Sequence, residues 1–191
     1  MPDLDLTGIL TFLRRAESMK DMLRSAYTTS GRQESVAAHT WRLTLMATVI
    51  APEYPDLDVG KLLKMLIVHD LGEAIHGDIP APEQVEVGDK SAQERKDLLA
   101  LTASLPAASH REVVALWDEY EAAETAEAKL AKALDKLETI LQHTQGDNPP
   151  DFDYAFNLEY GSEYTDLDPL IRELRAVLDA ETQRLLEAGR S

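Results

Sequence analysis

The chain has no cysteine. That removes disulfides and thiolate metal sites together, so any metal must be bound through nitrogen and oxygen. No run approaches the roughly 18 apolar residues of a membrane span, and the first residues, with Asp3 and Asp5, lack a signal peptide's basic region. The expectation is a soluble, cytoplasmic protein with no membrane partner. Basic residues are scarce: 19 Lys and Arg face 35 Asp and Glu, a formal charge of −16. Such a field repels polyanions, so no nucleic-acid polymer is expected as partner, because that affinity rests on neutralised phosphates. A small phosphorylated metabolite stays compatible, since a metal and one or two arginines offset the field locally. Sustained period-two alternation is also missing, and no sheet is expected.

What the chain does have is helical periodicity. Its 191 residues are 44% hydrophobic, enough for a substantial core, and the expectation is one domain over 1–191 with a C-terminal helical extension from about 151. Leu6, Ile9, Leu10, Leu13 and Ala16 recur at helical spacing, extendable through Met19, Met22 and Leu23, before the turn formers Tyr27-Thr28-Thr29-Ser30-Gly31. Further helices read over 34–50, 58–75, 91–105, 109–123 and 125–145, with Asp58 as an N-cap, and a last one around Leu170, Leu174 and Leu178. The fold class is all-α, a packed helical bundle.

One stretch organises the rest: Val68-His69-Asp70-Leu71-Gly72-Glu73, with His76-Gly77-Asp78 just after. An adjacent His-Asp pair in an apolar helix is costly unless something offsets the desolvation of the carboxylate. On a continuous helix His69, Asp70 and Glu73 converge over about one turn. His39 falls within the apolar stripe of the 34–50 helix, and Asp135 lies beside the Leu130, Leu134, Leu137 stripe. Singly, each has a plainer reading. His39 would be a hydrogen-bonded core histidine, Asp70 a cap or arginine partner, and Asp135, followed by Lys136 and Glu138, a member of a salt-bridged surface helix. Together, two imidazoles and two carboxylates suit a divalent transition ion that keeps positions open for water. Mn²⁺ or Co²⁺ fits best, with Fe²⁺, Ni²⁺, Zn²⁺ and Mg²⁺ also compatible. Trp41 and Trp117 read as packing residues, and His76 as facing solvent.

The pattern resembles the HD-domain metal phosphohydrolase superfamily. The runs Glu34-Ser35-Val36-Ala37-Ala38-His39, His69-Asp70-Leu71-Gly72-Glu73-Ala74-Ile75-His76-Gly77-Asp78-Ile79, Leu116-Trp117-Asp118-Glu119-Tyr120-Glu121 and Ala133-Leu134-Asp135-Lys136-Leu137-Glu138 resemble its 5′-deoxyribonucleotidase branch, over roughly residues 5 to 145. The resemblance implies His39, His69, Asp70 and Asp135 as ligands of one metal, and Glu73 and Asp78 in catalysis. It implies Arg24 on the substrate phosphate and a homodimer. Where that branch's best-known bacterial members carry a tryptophan after the arginine, this chain has Ser25, with Tyr27 the nearest aromatic for the substrate. The implied reaction is in-line attack of a metal-activated water on the 5′-phosphate of a (deoxy)nucleoside monophosphate. Glu73 orients or deprotonates the water, and Asp78 protonates the leaving oxygen or holds the sugar. The alternatives are hydrolysis of deoxynucleoside triphosphates or (p)ppGpp, and a non-catalytic metal- or nucleotide-binding protein.

Overall fold

The computed structural model describes residues 4–77 and 90–189. Helix α1, Leu6–Ala16, is capped by Asp5, whose carboxylate accepts from Gly8 N at 2.8 Å. It ends in a 3₁₀ turn, Glu17–Lys20, although the apolar spacing could have extended the helix through Leu23. A two-stranded antiparallel hairpin follows, β1 Leu23–Tyr27 and β2 Gln33–Ser35. This corrects the expectation of no sheet, since strands of five and three residues are too short to display a clear period of two. The hairpin turns through the Thr28-to-Gly31 segment, where Gly31 N donates to Thr28 O at 3.0 Å.

Strand β2 runs without a break into α2, Val36–Ile50, capped by Ser35. Helix α3, Val59–Val68, is capped by Asp58 as expected, its carboxylate accepting from Lys61 N at 2.9 Å. It stops seven residues earlier than its periodicity implies. His69 and Asp70 make a turn, and a 3₁₀ turn, Leu71–Ala74, replaces the last helical stretch. Gly72 explains the change of path: a Cβ there would lie 2.7 Å from the carbonyl oxygen of Glu94, so α4 (Lys90–Thr102) presses directly on this backbone. Two antiparallel helices follow, α5 (Ala107–Ala122) and α6 (Ala126–Gln145), then the short α7 (Phe156–Glu159) and α8 (Ser162–Thr165), and α9 (Pro169–Ala188), capped by Asp168.

Helix α6 is the axis of the bundle, with α2, α3, α5, α8 and α9 packed around it. Leu130, Leu134, Leu137 and Ile140 of α6 bury against Leu43 of α2, Leu62 and Leu66 of α3, and Ile171 of α9. Each such side chain contributes roughly 1.5–3 kcal/mol of transfer free energy. A smaller core of Met19, Val36, Val68, Leu98 and Trp117 seals the other end. Trp117 packs inside as expected, whereas Trp41 is 67% exposed and joins Leu45 and Val49 in an apolar stripe on the outside of α2. No helix among the described residues is long and apolar enough to cross a membrane.

Candidate metal centre

Four of the expected residues converge. His39, in the first turn of α2, is fully buried, and its Nε2 lies 3.1 Å from Asp135 Oδ1 and 3.9 Å from Asp70 Oδ2. His69 Nε2 lies 3.0 Å from Asp70 Oδ1 and 3.9 Å from Asp135 Oδ1. The side chains come from the start of α2, the turn after α3 and the middle of α6. Donors about 2.1 Å from one cation sit roughly 3–4 Å from each other, the spacing of these four imidazole–carboxylate pairs; His39, His69 and Asp70 also place one ligand atom each within 4.8 Å of one another, and Asp135 joins them through the two imidazoles.

The backs of both imidazoles are engaged, which orients their faces. His69 Nδ1 donates to the Leu66 carbonyl at 2.7 Å, so its Nε2 is the bare nitrogen. His39 Nδ1 is held by the Glu138 carboxylate, which also accepts from Arg42 Nε at 2.6 Å. His69 Nε2 and Asp70 Oδ2 are buried without hydrogen-bond partners among the described residues. Buried orphan atoms of this kind are what a bound cation would satisfy. The donor set therefore fits a divalent metal bound through nitrogen and oxygen.

The electrostatics agree. Burial opposes ionisation of Asp135, yet Lys136 and the two imidazoles hold its carboxyl well below the usual range. Burial likewise opposes charge on Asp70, and His69, His39 and Arg24 outweigh it. For His39, burial and then Arg24 disfavour the cation, but Glu138 and Asp135 push the imidazole up to about 10. A cluster this rich in carboxylate favours positive charge at its centre.

The other expected residues stand as follows. Glu73 is buried in the 3₁₀ turn beyond Asp70, with Lys90 Nζ 3.3 Å from its Oε1. Arg24, on β1, donates to Thr139 Oγ1 at 3.0 Å and places Nη1 3.8 Å from Asp70 Oδ2, so it borders the cluster. Tyr27 ends the same strand half-buried, tied through its carbonyl to Gln142 Nε2 of α6 rather than to any of the four. The expectation for Asp78 lies outside the described residues. His76 is exposed as expected, its Nδ1 2.5 Å from Asp97 Oδ2.

Periodicity assigned no site role to Glu138, Arg42, Tyr120 or Lys136. Tyr120 stacks edge-on against His69 and donates to Asp135 Oδ2 at 2.8 Å. Lys136 Nζ reaches the same oxygen at 2.9 Å. The available signal was phase: Arg42 falls three residues after His39, and Glu138 three after Asp135, on the faces their neighbours already bury.

A predominantly helical bundle that brings two imidazoles and two carboxylates together, with no thiol, has the form of a hydrolytic metal centre. Comparison with known proteins gives the family. A model of the HD domain matches residues 16–175. The chain is 35% identical over 140 residues to the 5′-deoxynucleotidase HDDC2 of Bos taurus, covering 72% of this chain and 67% of that protein. It is 30% identical over 153 residues to the Dictyostelium discoideum protein of the same name, covering 76% of this chain and 80% of that one. A crystal structure described as a predicted metal-dependent phosphohydrolase from Magnetospirillum magnetotacticum MS-1 superposes with a TM-score of 0.82 at 29% identity, over 99% of this chain and 96% of that one. The chain belongs to the HD-domain family of hydrolases.

Proposed function

We propose that the protein removes the 5′-phosphate of nucleoside monophosphates, deoxynucleotides among them, with water as the acceptor. The observation that carries this is the convergence of His39, His69, Asp70 and Asp135 beside Arg24 and Glu73, in a chain whose relatives are called 5′-deoxynucleotidases. In this reading those four side chains would hold one divalent ion, with Mn²⁺ or Co²⁺ favoured by the mixed donor set. Such an ion supplies positive charge against the phosphate and lowers the pKa of water. Arg24 offers a guanidinium fork to the phosphate oxygens. Glu73 takes a proton from the attacking water as its oxygen bonds to phosphorus, and the bond from phosphorus to O5′ breaks in line. The leaving oxygen takes a proton, for which Asp78 is the candidate donor if it does not hold the sugar instead, and orthophosphate and a nucleoside result.

Support for a homodimer comes from the exposed stripe Trp41, Leu45 and Val49 on α2, a helix with no Asp or Glu. In so acidic a chain, that is a face a second copy approaches with little repulsion. The cytoplasm, where nucleotides are made and broken down, is the compartment this activity calls for. In this reading residues 1–191 form one domain, with α8 and α9 packed on α6.

The test is phosphate release from a panel of ribo- and deoxynucleoside monophosphates with Mn²⁺, Co²⁺ and Mg²⁺ in turn. Orthophosphate and nucleoside are expected. Glu73→Ala should bind Mn²⁺ without turnover, and Asp135→Ala should lose both. Pyrophosphate or tripolyphosphate released from triphosphates, with monophosphates untouched, would replace this reading with its closest rival.

A further inference from the structure

The two oxygens of Asp135 face different ways. Oδ1 looks toward the imidazoles, while Oδ2 accepts from Tyr120 Oη at 2.8 Å and from the Lys136 ammonium at 2.9 Å. The lysine is itself seated. Its Nζ also donates to Tyr160 Oη at 3.2 Å and lies 5.1 Å from the centroid of that ring. Tyr160 closes α7, and Gly161 follows it in the left-handed region, with φ +64°. A Cβ on Gly161 would lie 2.4 Å from Lys136 Cγ and 2.6 Å from Lys136 Cβ. The aliphatic stem of the lysine thus fills space that only glycine leaves open, on a backbone that only glycine adopts without strain. A lysine following a buried acid on a helix would ordinarily swing into solvent; here three contacts hold it.

We propose that Lys136, seated by Tyr160 and Gly161, is a positioning residue of the metal centre. It pins Oδ2 so that Asp135 presents Oδ1 alone, which makes the segment between α6 and α9 part of the centre. The inference rests on the four-ligand reading given above. A carboxylate free to rotate would alternate between one-oxygen and two-oxygen binding, and the second mode takes up room that water and phosphate need.

Replacing the lysine alone gives a mixed signal, because it removes a donor from Oδ2 and a positive charge from beside the cation, with opposite effects on affinity. Variants that keep the charge decide the matter. Gly161→Ala should push the stem aside, weakening Mn²⁺ binding at least fivefold by calorimetry and changing the visible absorption of the Co²⁺-loaded protein. Combined with Lys136→Met, it should add nothing to either readout, because no ammonium is left to displace. Tyr160→Phe should act in the same direction, with the same loss of effect in the Lys136→Met background, and carries the test if Gly161→Ala does not fold. Wild-type Mn²⁺ affinity and Co²⁺ absorption in both variants, or full additivity with Lys136→Met, would overturn the inference. Wild-type protein that takes up no Mn²⁺ would overturn the ligand reading itself, and the inference with it.

Discussion

Glu138 touches no expected substrate group, yet it sets the direction of His39. Fully buried between His39 and Arg42, its carboxyl is kept ionised against the cost of burial by the imidazole and then the guanidinium. Glu138→Gln retains an acceptor but removes the charge, so Mn²⁺ affinity should fall roughly 10–100-fold by calorimetry while circular dichroism stays unchanged. The elevated His39 pKa gives a second expectation, at the level of proton linkage. Its folded value, about 10, exceeds the ordinary 6.5, so in metal-free protein its contribution is complete below about 6.5 and is lost as pH rises toward 10. The melting temperature of the metal-free form should decline across that window, and saturating Mn²⁺ should abolish the decline, since the cation takes the proton's place. A scan flat in both states would contradict this. The four residues that converge were legible as candidates because polar groups interrupt apolar stripes, which physics penalises unless something pairs them. Glu138 and Lys136 were not, because an acid three residues from an aspartate and a lysine beside it are the ordinary vocabulary of a solvated helix.

Elements place these groups more tightly than periodicity could convey. The run from Leu62 through Ile75 has an unbroken helical phase, but tertiary packing bends it after Val68, where α4 meets Gly72. Gly72→Ala sets a methyl 2.7 Å from a backbone oxygen and 2.8 Å from Glu94 Cβ, so one segment must move. A stability loss of about 1–3 kcal/mol in denaturant titration is expected, with a fall in kcat because Glu73 is the next residue. Unchanged kcat would show that the turn tolerates displacement. Long amphipathic helices such as α5 and α6 were legible nearly to their ends, since their caps and stripes agree. The β1–β2 hairpin was not, because so few residues carry too little pattern, and the turn formers around Ser30 marked only its tip.

The molecule as a whole sets a negative field against a locally cationic site. Arg24, Arg42, Lys90 and Lys136 stand around the ligand cluster while the net charge is −16. Screening lengths fall from about 30 Å at 0.01 M salt to about 8 Å at 0.15 M, so added salt mutes the distant acids more than the contacts at the centre. With saturating metal, kcat/KM for a nucleoside monophosphate should rise over that range, opposite to the trend for a protein that binds polyanions; a fall would mean that the local cations dominate approach. One further consequence follows from β2 passing directly into α2. Arg24 lies on β1, its carbonyl accepting from Gln33 Nε2 of β2 at 2.7 Å, and β2 becomes the first turn bearing His39, so the proposed phosphate arm and a proposed imidazole ligand are joined through one hairpin. Occupancy at one end then carries a free-energy penalty or bonus at the other, and by reciprocity anion and cation must alter each other's affinity by the same factor.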